Sequence, residues 1–272
     1  LYLILLTLKR WIFFLILFSL NAPQAAIKYS PPKPIPVPTP GTGPDPLYET
    51  SWHLQEIGAA RAWETTKGSK EVVIAVVDSG IDYNHPEIAP AVYRNEQDCN
   101  FNGVDDDQNG FIDDCMGWNF SEDIALPWDD NGHGTFIASI IGATHSNGEG
   151  GTGICPECRI LPLRFLDGDG FGDTEDAIKG IDYAVAREVS VLSLSFAGEG
   201  YDQELRNSLK AAAAKDIVVI VAAGNDGINN DNDEIYPANF HFDNMITVAA
   251  TKRDRDLWND SNYGERNVTL AA

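Results

Sequence analysis

Three short segments place an acid, an imidazole and a carboxamide where backbone can approach them closely. Asp78 ends an apolar run and leads into Ser79-Gly80; His133 lies between two glycines in Asn131-Gly132-His133-Gly134-Thr135; Asn225 follows Ala223-Gly224. A hydroxyl is a weak nucleophile and needs a positioned base, and histidine has the right proton affinity for that role. The histidine in turn needs a carboxylate to fix its tautomer and stabilise its protonated form. A side-chain amide can donate to the oxyanion of a tetrahedral intermediate. Together these residue types point to nucleophilic acyl transfer. Singly each is ordinary: an acid that caps a helix, a structural histidine, a turn asparagine.

A second cluster points to a cation. Between 95 and 130 there are eleven acids and no lysine or arginine. Like charges at this density repel unless they are solvated or neutralised. Within this acidic insert, Asp105-Asp106-Asp107-Gln108-Asn109-Gly110-Phe111-Ile112-Asp113 fits the front of an EF-hand-type calcium loop. Asp105, Asp107 and Asn109 would offer side-chain oxygens, Phe111 its carbonyl, Asp113 the next ligand, and Gly110 the sharp turn. The position of the bidentate glutamate holds Met116, so the match is partial. The expected cofactor is Ca2+ in a structural role, set against a merely solvated acidic loop.

The elements that must position these groups follow from apolar runs. Runs at 72–77, 160–166, 189–194, 217–222 and 245–249 are rich in Val, Ile and Leu and mostly do not alternate with polar residues. That suits strands buried on both faces of a parallel sheet. Helices are predicted over 54–64, with Trp52 and Trp63 as packing residues, and over 133–143, 173–188 and 201–215. The alternation predicts an α/β fold, a doubly wound, mostly parallel sheet with helices on both faces. Ligands of such sheets bind beyond the carboxyl ends of the strands, where Asp78 and Asn225 both fall.

The motifs also carry a resemblance. Val76-Val77-Asp78-Ser79-Gly80-Ile81-Asp82, Asn131-Gly132-His133-Gly134-Thr135 and Ala222-Ala223-Gly224-Asn225 resemble, in order, the aspartate, histidine and oxyanion-asparagine motifs of subtilisin-like serine proteases. The resemblance covers roughly 45–272 and implies a subtilisin-like fold and polypeptide substrates. It implies that Asp78 orients His133, that His133 is general base and then acid, and that Asn225 donates to the oxyanion. It implies that Gly170-Phe171-Gly172 and Ser195-Phe196-Ala197 are the two strands that hold an extended substrate by strand addition, with Gly224 flanking the primary pocket. It also places Glu87 and Asn147 where relatives hold a further calcium ion. The serine motif, Gly-Thr-Ser followed by small residues, is absent. The expectation is a chain truncated before its nucleophile, and as given it is not expected to turn over peptide. The alternative is a catalytically inactive, calcium-dependent binding module on the same fold.

Charge and cysteines bound the setting. With 41 acids against 19 lysines and arginines the net charge is −22, which excludes nucleic acid and anionic membranes as partners. Lys9 and Arg10, an apolar run over 11–20 and the small residues of 21–26 predict a signal peptide over 1–26 and hence a secreted protein. Ten apolar residues are too few for a bilayer, which needs about 20, so no stable membrane association is expected after cleavage. Removal of two positive charges and no acid would take −22 to −24. Prolines at nearly every second position predict an extended linker over 27–44, leaving 45–272 as the partial catalytic domain with its acidic insert at 95–130. In an exported protein the four cysteines are expected to form disulfides. Of three possible pairings the local ones, Cys99–Cys115 and Cys155–Cys158, are preferred over a four-thiolate zinc site, whose spacing Cys99 and Cys115 do not fit.

Overall fold

The computed structural model describes residues 45–272; the predicted signal peptide and proline-rich linker fall outside them. Five strands form where the apolar runs predicted them: β1 (Val73–Asp78), β3 (Arg159–Arg164), β4 (Val191–Leu194), β6 (Val218–Ala222) and β8 (Met245–Ala249). Two-residue strands β2 (Trp118–Asn119) and β9 (Leu270–Ala271) complete a seven-stranded sheet in the order β2-β3-β1-β4-β6-β8-β9. Every pairing in it is parallel. Short strands β5 (Gly198–Glu199) and β7 (Ile235–Tyr236) pair antiparallel beside it. Pieces of two residues are too short to carry a hydrophobic period, so nothing in the sequence announced them.

Three longer helices match the predicted ones: α3 (His133–Gly142), α4 (Thr174–Ala186) and α5 (Gln203–Ala214). The Asp202 carboxylate starts α5 by accepting from the N–H groups of Glu204 and Leu205 at 2.8 and 2.9 Å, a side-chain N-cap. The helix predicted over 54–64 is instead two short ones, α1 (Trp52–Glu56) and α2 (Ala59–Trp63). Gly58 between them has φ +69°, a left-handed turn that a continuous helix does not contain. Trp63 does pack, edge-on to His145 at 4.4 Å, with its indole N–H donating to the Ile154 carbonyl at 2.9 Å.

The strand β1 shows how the sheet aims its chemistry. Ala75 and Val77 belong to the apolar cluster shared with Ile181 of α4 and Leu205 and Leu209 of α5. Val76 belongs to the opposite cluster, shared with Ala138 of α3. Successive side chains of a strand alternate between faces, so both faces are covered and a continuous apolar run is required. Asp78 has the parity of Val76 and therefore turns toward α3. Both cysteine pairs form disulfides, Cys99–Cys115 and Cys155–Cys158. Among the described residues no helix is long and apolar enough to cross a membrane.

Candidate active site

Because the sheet is parallel, the carboxyl ends of β3, β1, β4 and β6 lie side by side along one edge. Asp78 is the last residue of β1, Ser195 follows β4, and Gly224 and Asn225 follow β6. The segment from Phe165 onward leaves β3 at the same edge. His133 comes to it from across the chain as the first residue of α3.

Asp78 and His133 meet there. The His133 Nδ1 atom lies 2.8 and 2.9 Å from the two Asp78 carboxylate oxygens. The carboxylate is buried, at 1% exposure, and the imidazole keeps 25%. The Ser79 N–H donates to Asp78 Oδ1 at 2.7 Å and fixes the carboxylate from its other side. Burial works to lower the proton affinity of His133, but the hydrogen bond and charge of Asp78, with the charge of Asp129, outweigh it. The imidazole therefore binds its proton more tightly than an ordinary histidine. With Nδ1 engaged by the acid, Nε2 is the nitrogen left to exchange a proton with a substrate or nucleophile.

The close approach depends on glycine. A Cβ on Gly134 would stand 2.0 Å from the Gly80 carbonyl oxygen and 3.3 Å from the Asp78 Cβ. Gly80 has φ +100°, and a Cβ there would meet the Pro127 and Trp128 carbonyl oxygens. Gly134→Ala is expected to push α3 away from β1 and cost about 1–3 kcal/mol, read as a lower thermal midpoint together with loss of the His133–Asp78 contact by NMR.

Asn225 lies on the same edge two strands from Asp78, about 10 Å at the usual strand spacing, and is exposed. Its turn is held from below by Asn262, which sequence reasoning did not single out as a site residue. The fully buried Asn262 accepts from the N–H groups of Asp226 and Ile228 at 2.8 and 3.2 Å and donates to the Ala223 carbonyl at 3.2 Å. Gly224 has φ +106° and no room for a Cβ, since Asn262 Nδ2 would lie 2.3 Å away. An asparagine distant along the chain gives no signal of this clamp in sequence.

The two expected substrate strands are not regular strands. Gly170, Phe171 and Gly172 form a turn closed on Asp167: its N–H donates to the Phe171 carbonyl at 2.7 Å and its carboxylate accepts from Phe171 N–H at 2.9 Å. Phe171 is exposed at 46%. Ser195, Phe196 and Ala197 run as irregular chain between β4 and β5. Phe196 is buried against Phe165, with ring centroids 4.9 Å apart, so only its backbone faces the edge.

The candidate calcium residues divide. Carboxylate oxygens of Asp105 and Asp107 group with Asp98, all within 4.8 Å of one another. Asp98 was not foreseen because it lies outside the D-x-D-x-N-G pattern. Asp113 is turned away, clasping the N–H groups of Asn102 and Gly103 at 2.9 and 2.8 Å. The Asn109 oxygen accepts from Phe111 N–H at 2.7 Å. Three of the eleven acids have a cationic partner. Arg187 pairs with Asp107 and Asp114, and Arg164 with Asp130, both from beyond the insert. Asn147 donates to Glu87 Oε1. Asp45 gathers the same loop, accepting from Ser146 N–H, Asn147 N–H and Thr152 Oγ1. Glu87 Oε2 is buried without a hydrogen-bond partner.

Comparison with known proteins agrees with this geometry. Residues 69–272 match the family model described as Subtilase family. The chain belongs to the subtilase family. This subtilase is 32% identical over 214 residues to subtilisin-like protease 1 of Plasmodium berghei, covering 74% of this chain and 36% of that protein. It is 33% identical over 221 residues to thermitase of Thermoactinomyces vulgaris, covering 81% and 69%. The chain thus spans about a third of the first relative and about two thirds of the second. A solved structure of a Pseudoalteromonas arctica protease shares the fold, with a TM-score of 0.69 at 24% identity over 85% of this chain and 72% of that one.

Proposed function

We propose that this subtilase is a secreted serine endopeptidase that hydrolyses polypeptides through an acyl-enzyme, with Asp78 and His133 as acid and base. The observation that carries this reading is the bond from His133 Nδ1 to the buried Asp78 carboxylate. The triad's serine would come from sequence outside these 272 residues. His133 Nε2 would take the serine proton as the hydroxyl attacks the scissile carbonyl. It would then deliver that proton to the leaving amine, with Asp78 stabilising the imidazolium in between. The Asn225 amide would donate to the oxyanion from a turn that Asn262 holds rigid. Gly170–Gly172 and Ser195–Ala197 would offer backbone to an extended peptide, and Gly224 would flank the pocket for its primary side chain. The test is casein hydrolysis by protein that carries the serine segment. It is expected to proceed and to vanish in His133→Ala; persistence in that variant would remove the proposal. Lys9, Arg10 and the apolar run after them support export, and two disulfides suit an oxidising compartment.

Calcium is the proposed structural cofactor. The donor sets are all oxygen, the chemistry this hard cation prefers. Asp98, Asp105 and Asp107 would hold one ion. Glu87, with Asn147 and Asp45 around it, would hold another, where the unpartnered Glu87 Oε2 is a buried acceptor in want of a donor or cation. A bound ion would neutralise the crowded carboxylates and fix the loops. Titration with calcium is expected to release or absorb heat and to raise the thermal midpoint, by about 2.7 kcal/mol of stability at a hundredfold excess over Kd. Glu87→Gln should remove one binding step. No heat and no shift would exclude both sites.

A further inference from the structure

His133 is the first residue of a ten-residue helix. That position carries the positive end of the helix dipole, which opposes protonation of an imidazole placed there. The neighbouring acids act the other way, toward a tightly held proton, first through the hydrogen bond and charge of Asp78 and then through the charge of Asp129. The turn before α3 holds the second of these two acids. Asp129 is buried at 5% exposure and is fully engaged. Its Oδ1 accepts from Ser79 Oγ at 2.9 Å, Asn131 N–H at 3.0 Å and Gly132 N–H at 2.8 Å. Its Oδ2 accepts from Thr135 N–H at 2.9 Å and Thr135 Oγ1 at 2.5 Å.

Ser79 joins this carboxylate to the acid on β1. It is fully buried. Its N–H donates to Asp78 Oδ1, its Oγ donates to Asp129, and the same Oγ accepts from Gly134 N–H at 3.0 Å. One residue thus holds the carboxylate that meets His133, the carboxylate under the start of α3, and the first turn of α3 itself. The remaining donor there, His133 N–H, goes to Asn131 Oδ1 at 3.2 Å. Every free N–H of the first turn is therefore met by a side chain, and one of those side chains is charged.

We infer that Asp129, linked through Ser79, is a positioning residue for the Asp78–His133 pair: it cancels the positive end of α3 and locks both partners in one geometry. The inference rests on reading that pair as the acid and base. The charges acting on the imidazole are Asp78 from β1 and Asp129 from the turn, one by direct contact and the other across the helix start. Removing Asp129 leaves the dipole uncancelled, so the base should lose proton affinity and its orientation together.

The experiment is an NMR titration of protein carrying 15N-histidine, with the His133 signals among the five histidines assigned by His133→Gln. Asp78→Asn is the reference and should abolish the low-field Nδ1–H signal. Asp129→Asn should lower the proton affinity of His133 by about threefold or more at unchanged far-ultraviolet circular dichroism. Ser79→Ala, which keeps the charge, should broaden the Nδ1–H signal through faster exchange with water. If Asp129→Asn does not fold, Ser79→Ala decides. Wild-type His133 behaviour in every folded variant at positions 79 and 129, with Asp78→Asn still disruptive, overturns this inference alone. Wild-type behaviour in Asp78→Asn overturns the acid–base reading beneath it.

Discussion

Asp78→Asn, in protein that carries the serine segment, is expected to lower kcat for peptide hydrolysis by about 10,000-fold and to leave KM near its starting value. Asparagine can occupy the same space, but it offers an amide where His133 Nδ1 now meets a carboxylate at 2.8 Å. The imidazole would lose the partner that selects its tautomer, and its protonated form would lose the adjacent charge. Neither change touches the ground-state contacts of a bound peptide, so the loss belongs to the transition state. The pH dependence follows from the same bond. The proton affinity of His133 is raised, so the neutral base required for attack appears at higher pH than for an ordinary histidine. The acid limb of kcat/KM should therefore lie above the usual histidine range and move down in Asp129→Asn. Stability moves oppositely. The contribution from protonated His133 is fully present below the unfolded-state pKa and is lost as pH rises through the folded one. Activity thus gains where this part of the stability fades. Peptide hydrolysis measured across pH in both variants decides the matter; an unshifted acid limb in Asp129→Asn would count against coupling between the two acids.

Much of this site was legible in the sequence because its members stand at element boundaries. Asp78 closes an apolar run, and a parallel sheet puts every such terminus on one edge. The motif order then placed His133 at the start of a helix covering that edge. What stayed hidden was the support. Ser79 was visible as part of a motif, but nothing in one dimension shows its hydroxyl bridging to Asp129, 50 positions later. Asp129 was counted among the acids of a surface cluster, whereas it is a buried helix cap. Asn262 clasps the turn at 223–228 from 34 to 39 positions away, which no local pattern shows. The insert was hard to read for the same reason: a segment without lysine or arginine gave no sign that three of its acids pair with Arg164 and Arg187, on β3 and just past the end of α4. Local composition reports charge density, and only the fold reports pairing. The stretches expected as substrate strands, 170–172 and 195–197, are irregular: Phe171 is bonded back to Asp167, and a loop contact of this kind leaves no mark in local sequence.

Arg187→Met is expected to cost about 3–5 kcal/mol and to loosen the part of the acidic insert between Cys99 and Cys115. The guanidinium follows α4 and reaches into the insert, contacting Asp107 at 2.9 Å and Asp114 at 2.5 Å. Its own side chain is 17% exposed, Asp107 is 6% and Asp114 is fully buried. Asn95 donates to both carboxylates, and the Tyr183 hydroxyl donates to Asp114 at 2.5 Å. Methionine would keep an apolar stem but lose the guanidinium that lies over the Tyr183 ring, and would leave two buried negative charges facing each other with only neutral donors. Phe111, edge-on to Tyr183 at 4.9 Å and to Trp118 at 5.0 Å, the β2–β3 pairing and the Arg164–Asp130 ion pair would still tie the insert to the sheet. The Cys99–Cys115 disulfide limits how far it can open, so local protease nicking between those cysteines should appear before global unfolding. Acid should act differently on the two proteins. Burial pushes the Asp107 carboxyl up, but its bonds to Asn95 and Arg187 more than reverse this and hold it below the usual range. Its contribution is therefore present above the unfolded-state pKa and is lost as pH falls through the folded one. Without Arg187 that depression shrinks, and the acid-induced loss of stability should shrink with it. Asp107 also belongs to the oxygen cluster with Asp98 and Asp105, so calcium at the proposed site would neutralise the same carboxylate that Arg187 does. Calcium should consequently restore more stability to Arg187→Met than it adds to the wild type, as measured by urea denaturation with calcium and with chelator. Equal calcium increments in the two proteins would show that the cation and the guanidinium do not share Asp107.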